Sequence, residues 1–81
     1  MDDASILDRV RALVDEEHAL RESRVTGEVP PDVEQSRLRE LEESLDQCWD
    51  LLRQRRALRE AGADPENAQE RGKDQVEHYL Q

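Results

Sequence analysis

Cys48 and Trp49 stand side by side in "LDQCWDLLRQRRALREAG" (residues 45–62), followed by Arg53, Arg55, Arg56 and Arg59. A thiol among cations is the pattern of a nucleophilic or redox cysteine, because positive charge stabilises the thiolate. Here the spacing fails. The arginines begin five residues on, more than a helical turn away, and Asp46 and Asp50 flank the thiol instead. Cys48 is therefore read as packing. A second pattern is "DEEHALRE" (15–22): Asp15 and His18 are spaced i, i+3, and His18 and Glu22 i, i+4. Di-iron bundles use a Glu-x-x-His pair on one helix with a Glu from another. The first residue here is Asp, and acid-rich helices generate such spacings by chance. A third pattern, "RQRRALRE" (53–60), would suit phosphate, but it is short and has no interleaved aromatic. No catalytic, metal or cofactor-binding residue is assigned, and nucleic acid is not expected as a partner.

The composition bounds the elements that position these groups. The chain has 81 residues, 35% hydrophobic and 41% charged, with no Phe, one Trp and one Tyr. That excludes a thick globular core and suits long amphipathic helices. A chain this small usually needs a disulfide, a metal, a partner or a second copy. One Cys cannot form an internal disulfide. No apolar run approaches the roughly 18 residues of a membrane span, and residues 1–10 lack the pattern of a signal peptide. A cytoplasmic protein with no membrane contact is expected. The net charge of −9 is uneven. Residues 1–50 hold 6 Arg and 15 Asp plus Glu, net −9; residues 51–61 hold 4 Arg and 1 Glu, net +3; residues 62–81 hold 2 basic and 5 acidic groups, net −3.

Helix signals divide the chain. The first helix is predicted from about residue 4 to 24, capped by Asp3 or Ser5. "VTGEVPP" (25–31) breaks it, since Gly27 suits a left-handed end and Pro30–Pro31 cannot continue a helix. A second helix is predicted from about 32 to 61, with Pro31 at its start and Gly62 as its stop. Residues 62–81 read as a polar linker, with a possible cap at Asp64–Pro65, and a short amphipathic segment carrying Val76, Tyr79 and Leu80. Residues 1–61 thus form the structured domain, with a short, partly ordered tail.

Ile6, Val10, Leu13, Glu17 and Leu20 repeat in steps of three and four, as do Leu38, Leu41, Leu45, Cys48 and Leu52. This is a coiled-coil seam. Folding at the Gly/Pro loop pairs Ile6 with Leu52, Val10 with Cys48, Leu13 with Leu45, Glu17 with Leu41 and Leu20 with Leu38. One step further gives Arg24–Glu34 and Asp3–Arg55, both of opposite charge. The expected fold class is all-α: an antiparallel two-helix hairpin, coiled-coil-like, with ionic ends. The second helix is the longer, roughly 45 Å against roughly 30 Å, so its basic end overhangs.

Leu7, Val14, Trp49, Leu51 and Leu58 lie beside the seam, and a two-helix hairpin cannot bury them all. They form the expected interface, covered by a second copy, by the tail or by a protein partner. The expected function is a non-enzymatic interaction or adaptor protein that self-associates as a homodimer. The alternatives are an acidic regulator occupying a basic site on a nucleic-acid enzyme and a di-iron carboxylate bundle.

"SILDRVRALVDEEHALR", "LDQCWDLLRQRRALREAG" and the ending "VEHYLQ" resemble a family of short actinobacterial proteins of unknown function. The resemblance covers nearly the whole chain. It implies a two-helix protein of a bacterial cytosol, and it brings no activity, ligand or site residue with it.

Overall fold

The computed structural model describes residues 2–80, and for Tyr79 and Leu80 the backbone alone. The described residues are all helical or loop, with no strand. Two long helices, α1 (Asp3–Val25) and α2 (Pro31–Glu60), are followed by a single 3-10 turn (Pro65–Asn67) and a short helix, α3 (Lys73–Leu80). The molecule measures 51 × 25 × 14 Å, with a radius of gyration of 15.2 Å. A compact chain of this length would have a radius near 12 Å. The small apolar fraction is thus used along a narrow line rather than around a centre.

Each boundary has a local cause. Asp2 caps α1, its carboxylate accepting from the Ser5 amide at 2.8 Å. The sequence reading places that cap at Asp3 or Ser5. The shift by one residue matters, because it leaves the Asp3 carboxylate for other partners. Both long helices end the same way. Gly27 donates to the Arg24 carbonyl and Glu28 to that of Ser23; Gly62 donates to Arg59 and Ala63 to Leu58. These paired bonds need a left-handed residue after the helix, and Gly27 (φ 76°) and Gly62 (φ 74°) supply it. Pro31 opens α2, where a missing N–H costs nothing. Asp64 caps the 3-10 turn by accepting from the Glu66 amide at 3.0 Å, with Pro65 at its first position.

α1 packs along α2. The buried cluster is Ile6, Val10, Cys48 and Leu51, with Leu13, Leu45, Leu52 and Ala68 packed against it. Leu41 and Val76 are also fully buried. The ion pairs expected at the helix ends are both present: Arg24 Nε lies 3.5 Å from Glu34 Oε2, and Arg55 pairs with Asp3.

Leu51 departs from the sequence reading, which sets it beside the seam as an interface residue to be covered by a second copy, by the tail or by a protein partner. It is 8% exposed and belongs to the core cluster. The physical reason is the C-terminal segment, which places Ala68 against that cluster. The docking expected of Tyr79 and Leu80 lies outside the described residues. Val76, from the same segment, is buried.

The line of core residues sets a contrast that unfolding in urea can read. Leu41→Ala removes a fully buried side chain and should cost about 2–5 kcal/mol. Val25→Ala, at a residue 88% exposed, should stay within about 0.5 kcal/mol of the parent. Equal effects would contradict the core assignment.

Candidate interaction surface

The charged end of α2 is an internal joint. Arg55, one turn beyond Leu51, is 7% exposed. Its Nε donates to Asp3 at the start of α1, and its Nη1 donates to the Pro65 carbonyl at 3.3 Å and to Glu66 Oε1 at 3.1 Å. Arg59, one turn further, forks onto the same aspartate: Nη2 to Oδ2 at 2.9 Å and Nη1 to Oδ1 at 3.2 Å. Hydrogen bonds from Arg59 and then Arg55 hold the Asp3 carboxyl below the usual aspartate range. Arg56 pairs with Glu60 at 3.1 Å. Three of the four arginines of the basic segment therefore already face carboxylates of this chain.

From that joint the C-terminal segment runs back along α2, held by polar side chains on one stripe. Gln54 and Gln69 bond reciprocally: the Gln54 amide donates to the Gln69 carbonyl at 2.8 Å, and the Gln69 N–H donates to Gln54 Oε1 at 3.4 Å. Gln54 also donates to Asp50 at 3.0 Å, and Arg71 lies 3.5 Å from the same aspartate. Gln47 donates to the Arg71 carbonyl at 3.1 Å. Arg9 of α1 reaches Glu70 at 3.4 Å. Gln47, Asp50 and Gln54 were missed as functional in the sequence. Their signal is an i, i+3, i+7 spacing beside Leu51, which places all three on one helical face.

Cys48 is buried between the helices and unpaired. Burial pushes its thiol above the usual range; Arg9 opposes this and Glu70 adds to it. A thiolate is thus disfavoured where a nucleophile would need one. Asp15, His18 and Glu22 are all exposed, and no group of three His, Cys, Asp or Glu able to hold a metal occurs among the described residues. A cavity of about 190 Å³ lies beside the joint, lined by Leu51, Arg55, Glu66, Ala68 and Glu70. No helix among the described residues is long and apolar enough to cross a membrane.

The opposite side of the helix pair is open. Leu7 is 40% exposed, Val14 36% and Trp49 43%. At about 100° per residue, Trp49 sits about 160° around the helix from Leu51 on α2, and Leu7 the same from Arg9 on α1. Leu51 and Arg9 mark the side taken by the C-terminal segment. Leu7, Val14 and Trp49 therefore line the side it leaves bare. Leu58 is half-buried near the joint. Of the five expected interface residues, three share an uncovered side, one is half-buried and Leu51 is core.

The chain matches, over residues 2–81, the model of a family described as "Protein of unknown function (DUF2630)". Similar proteins include uncharacterized proteins of Mycobacterium bovis and of Mycobacterium tuberculosis. Each is 53% identical over 77 residues, covering 95% of this chain and 88% of the relative. No solved structure matches.

The buried thiol makes a direct prediction. At pH 8, native protein should react with an aromatic disulfide reagent at least about tenfold more slowly than protein unfolded in guanidinium. Equal rates would show that Cys48 is accessible.

Proposed function

We propose that this chain, which belongs to the DUF2630 family of proteins of unknown function, is a small non-enzymatic helical interaction protein of the cytoplasm that works as a homodimer. In this reading the described part of residues 1–61 forms an antiparallel, coiled-coil-like hairpin, and the described part of residues 62–81 is a strap laid along one side. The crossed ion pairs Asp3–Arg55 and Arg24–Glu34 support the antiparallel sense, because each joins the start of one helix to the far part of the other. The buried line of Ile6, Val10, Leu41 and Cys48 supports the seam.

The observation that carries the interaction role is the asymmetry between the two sides. The strap covers Leu51, while Leu7, Val14 and Trp49 stay exposed on the other side. Burying one large apolar side chain is worth roughly 1.5–3 kcal/mol, so covering three of them together is a substantial driving force. A large aromatic beside smaller aliphatic residues is a common interface anchor. Exposed acids and arginines around the stripe would then choose the partner by charge. A second copy of the chain is the occupant proposed here, and an adaptor role would use the remaining charged faces. An anion-binding role draws little support, because three of the four arginines at residues 53–59 already meet carboxylates.

Light scattering behind size exclusion tests this. At tens of micromolar the mass should be twice the chain's 9.4 kDa. Trp49→Ala should weaken the dimer about tenfold or more. A monomer under those conditions overturns the homodimer, and an unchanged association constant removes Trp49 from its interface.

A further inference from the structure

The contacts of the C-terminal segment change character along its length. From Glu66 to Arg71 the polar contacts with α2 described above are complementary: carboxylate to guanidinium, amide to carbonyl, arginine to aspartate. α3 then seats Val76, 1% exposed, on α2. The next residue breaks the pattern. Glu77 faces Asp46 within hydrogen-bonding reach, with Glu43 and Glu42 close by on the same helix. Its Oε1 is buried, and no donor among the described residues reaches it. Two ionised carboxylates cannot bond to each other, whereas a carboxylic acid and a carboxylate bond strongly.

We infer that docking of α3 on α2 is coupled to one proton shared between Glu77 and Asp46. With the proton present, the buried oxygen is satisfied and Val76 stays seated. With both groups ionised, Glu77 faces Asp46, Glu43 and Glu42 as a fourth negative charge, in partly desolvated surroundings. Separating α3 relieves that repulsion at the expense of the Val76 contact. Among the described residues α2 is the only helix that α3 packs against, so these three acids are the charges that face Glu77 from outside its own helix. On α3 itself Lys73 lies one turn earlier, and Asp74 and His78 are the remaining titratable neighbours.

The direction follows from linkage. The docked state holds the Glu77 carboxyl above its usual range, chiefly through the bond to Asp46 and then through burial. An acid whose proton is held more tightly in the docked state favours docking at low pH, and that advantage is lost as the pH rises through the raised range. The Asp3 joint responds in the opposite sense, since its carboxyl is held low and its bonds weaken only below the usual aspartate range. Near pH 4, below the usual glutamate range and above that of Asp3, both ends of the strap are therefore held. Near pH 8 the joint is held and α3 is loosened, so the strap becomes a tether with a free end.

Amide hydrogen exchange, corrected for the intrinsic effect of pH, tests this on the full chain. The Val76 amide, which bonds to the Gly72 carbonyl, reports α3 directly. Its protection should fall between pH 4 and pH 8, while Val10 and Leu41 hold theirs. Glu77→Gln should keep Val76 protected at pH 8, because the amide donates to Asp46 at any pH. Asp46→Asn should do the same from the other side. His78→Gln should leave the fall intact. The inference is overturned by constant protection in the parent chain, by a parent-like fall in both Glu77→Gln and Asp46→Asn, by loss of the fall in His78→Gln, or by equal loss along all three helices.

Discussion

A guanidinium carries five donors and never loses its charge at ordinary pH, so burying one demands acceptors on several sides. Arg55 is buried in a molecule only 14 Å thick in its smallest dimension. Among the described residues its acceptors include Asp3 at the head of α1, and Pro65 and Glu66 in the 3-10 turn. If either segment leaves, the buried guanidinium loses part of its set of acceptors. The arrangement sets the end of α2 against the start of α1, and it turns the chain after Ala63 back along the helix it has just left. Both consequences are needed. The apolar line between α1 and α2 is thin, and Ala68 is brought back to pack against it.

The caps prepare this joint. Asp2, not Asp3, satisfies the first turn of α1, so the Asp3 carboxylate is left to face Arg55 and Arg59. Gly62 ends α2 in the left-handed conformation, and Asp64 with Pro65 starts the 3-10 turn three residues later. That short interval leaves the turn close enough to α2 for its carbonyl and Glu66 to reach Arg55. Beyond it, Gln54, Asp50 and Gln47 bond the retracing segment through backbone carbonyls and through Gln69 and Arg71, so the polar face of α2 becomes a seat rather than a solvated surface.

Much of the helical content was legible in the sequence, because it rests on local signals. Gly27, Gly62 and the prolines at 30 and 31 stop and start helices through their own backbone preferences. Steps of three and four identify Ile6, Val10, Leu41 and Cys48 as inward-facing. Arg24–Glu34 and Asp3–Arg55 followed from extending that register by one step. A folding back of Val76–Leu80 was one of the alternatives the sequence offered, but the seating of residues 66–71 along α2 was not legible. It depends on glutamine amides bonding to backbone carbonyls, which leave no hydrophobic period, and on one alanine and one valine, which are too few to make one. Leu51 was misplaced for this reason: its cover comes from a stretch whose composition reads as linker. The same oversight hid Glu77, whose significance comes only from standing opposite Asp46. At the candidate surface, Leu7, Val14 and Trp49 could be named from the helical wheel, but their separation from Leu51 could not.

The dependence of both packed segments on one side chain is open to a single measurement. Arg55→Met keeps most of the aliphatic stem and removes every donor. Hydrogen exchange on that variant should show protection falling together at the start of α1, around Leu7, and in the 3-10 turn, at Asn67 and Ala68, with the middle of α2 little changed. Protection that is retained at either place would contradict the account, because it would mean that α1 and the returning segment are held independently of the joint.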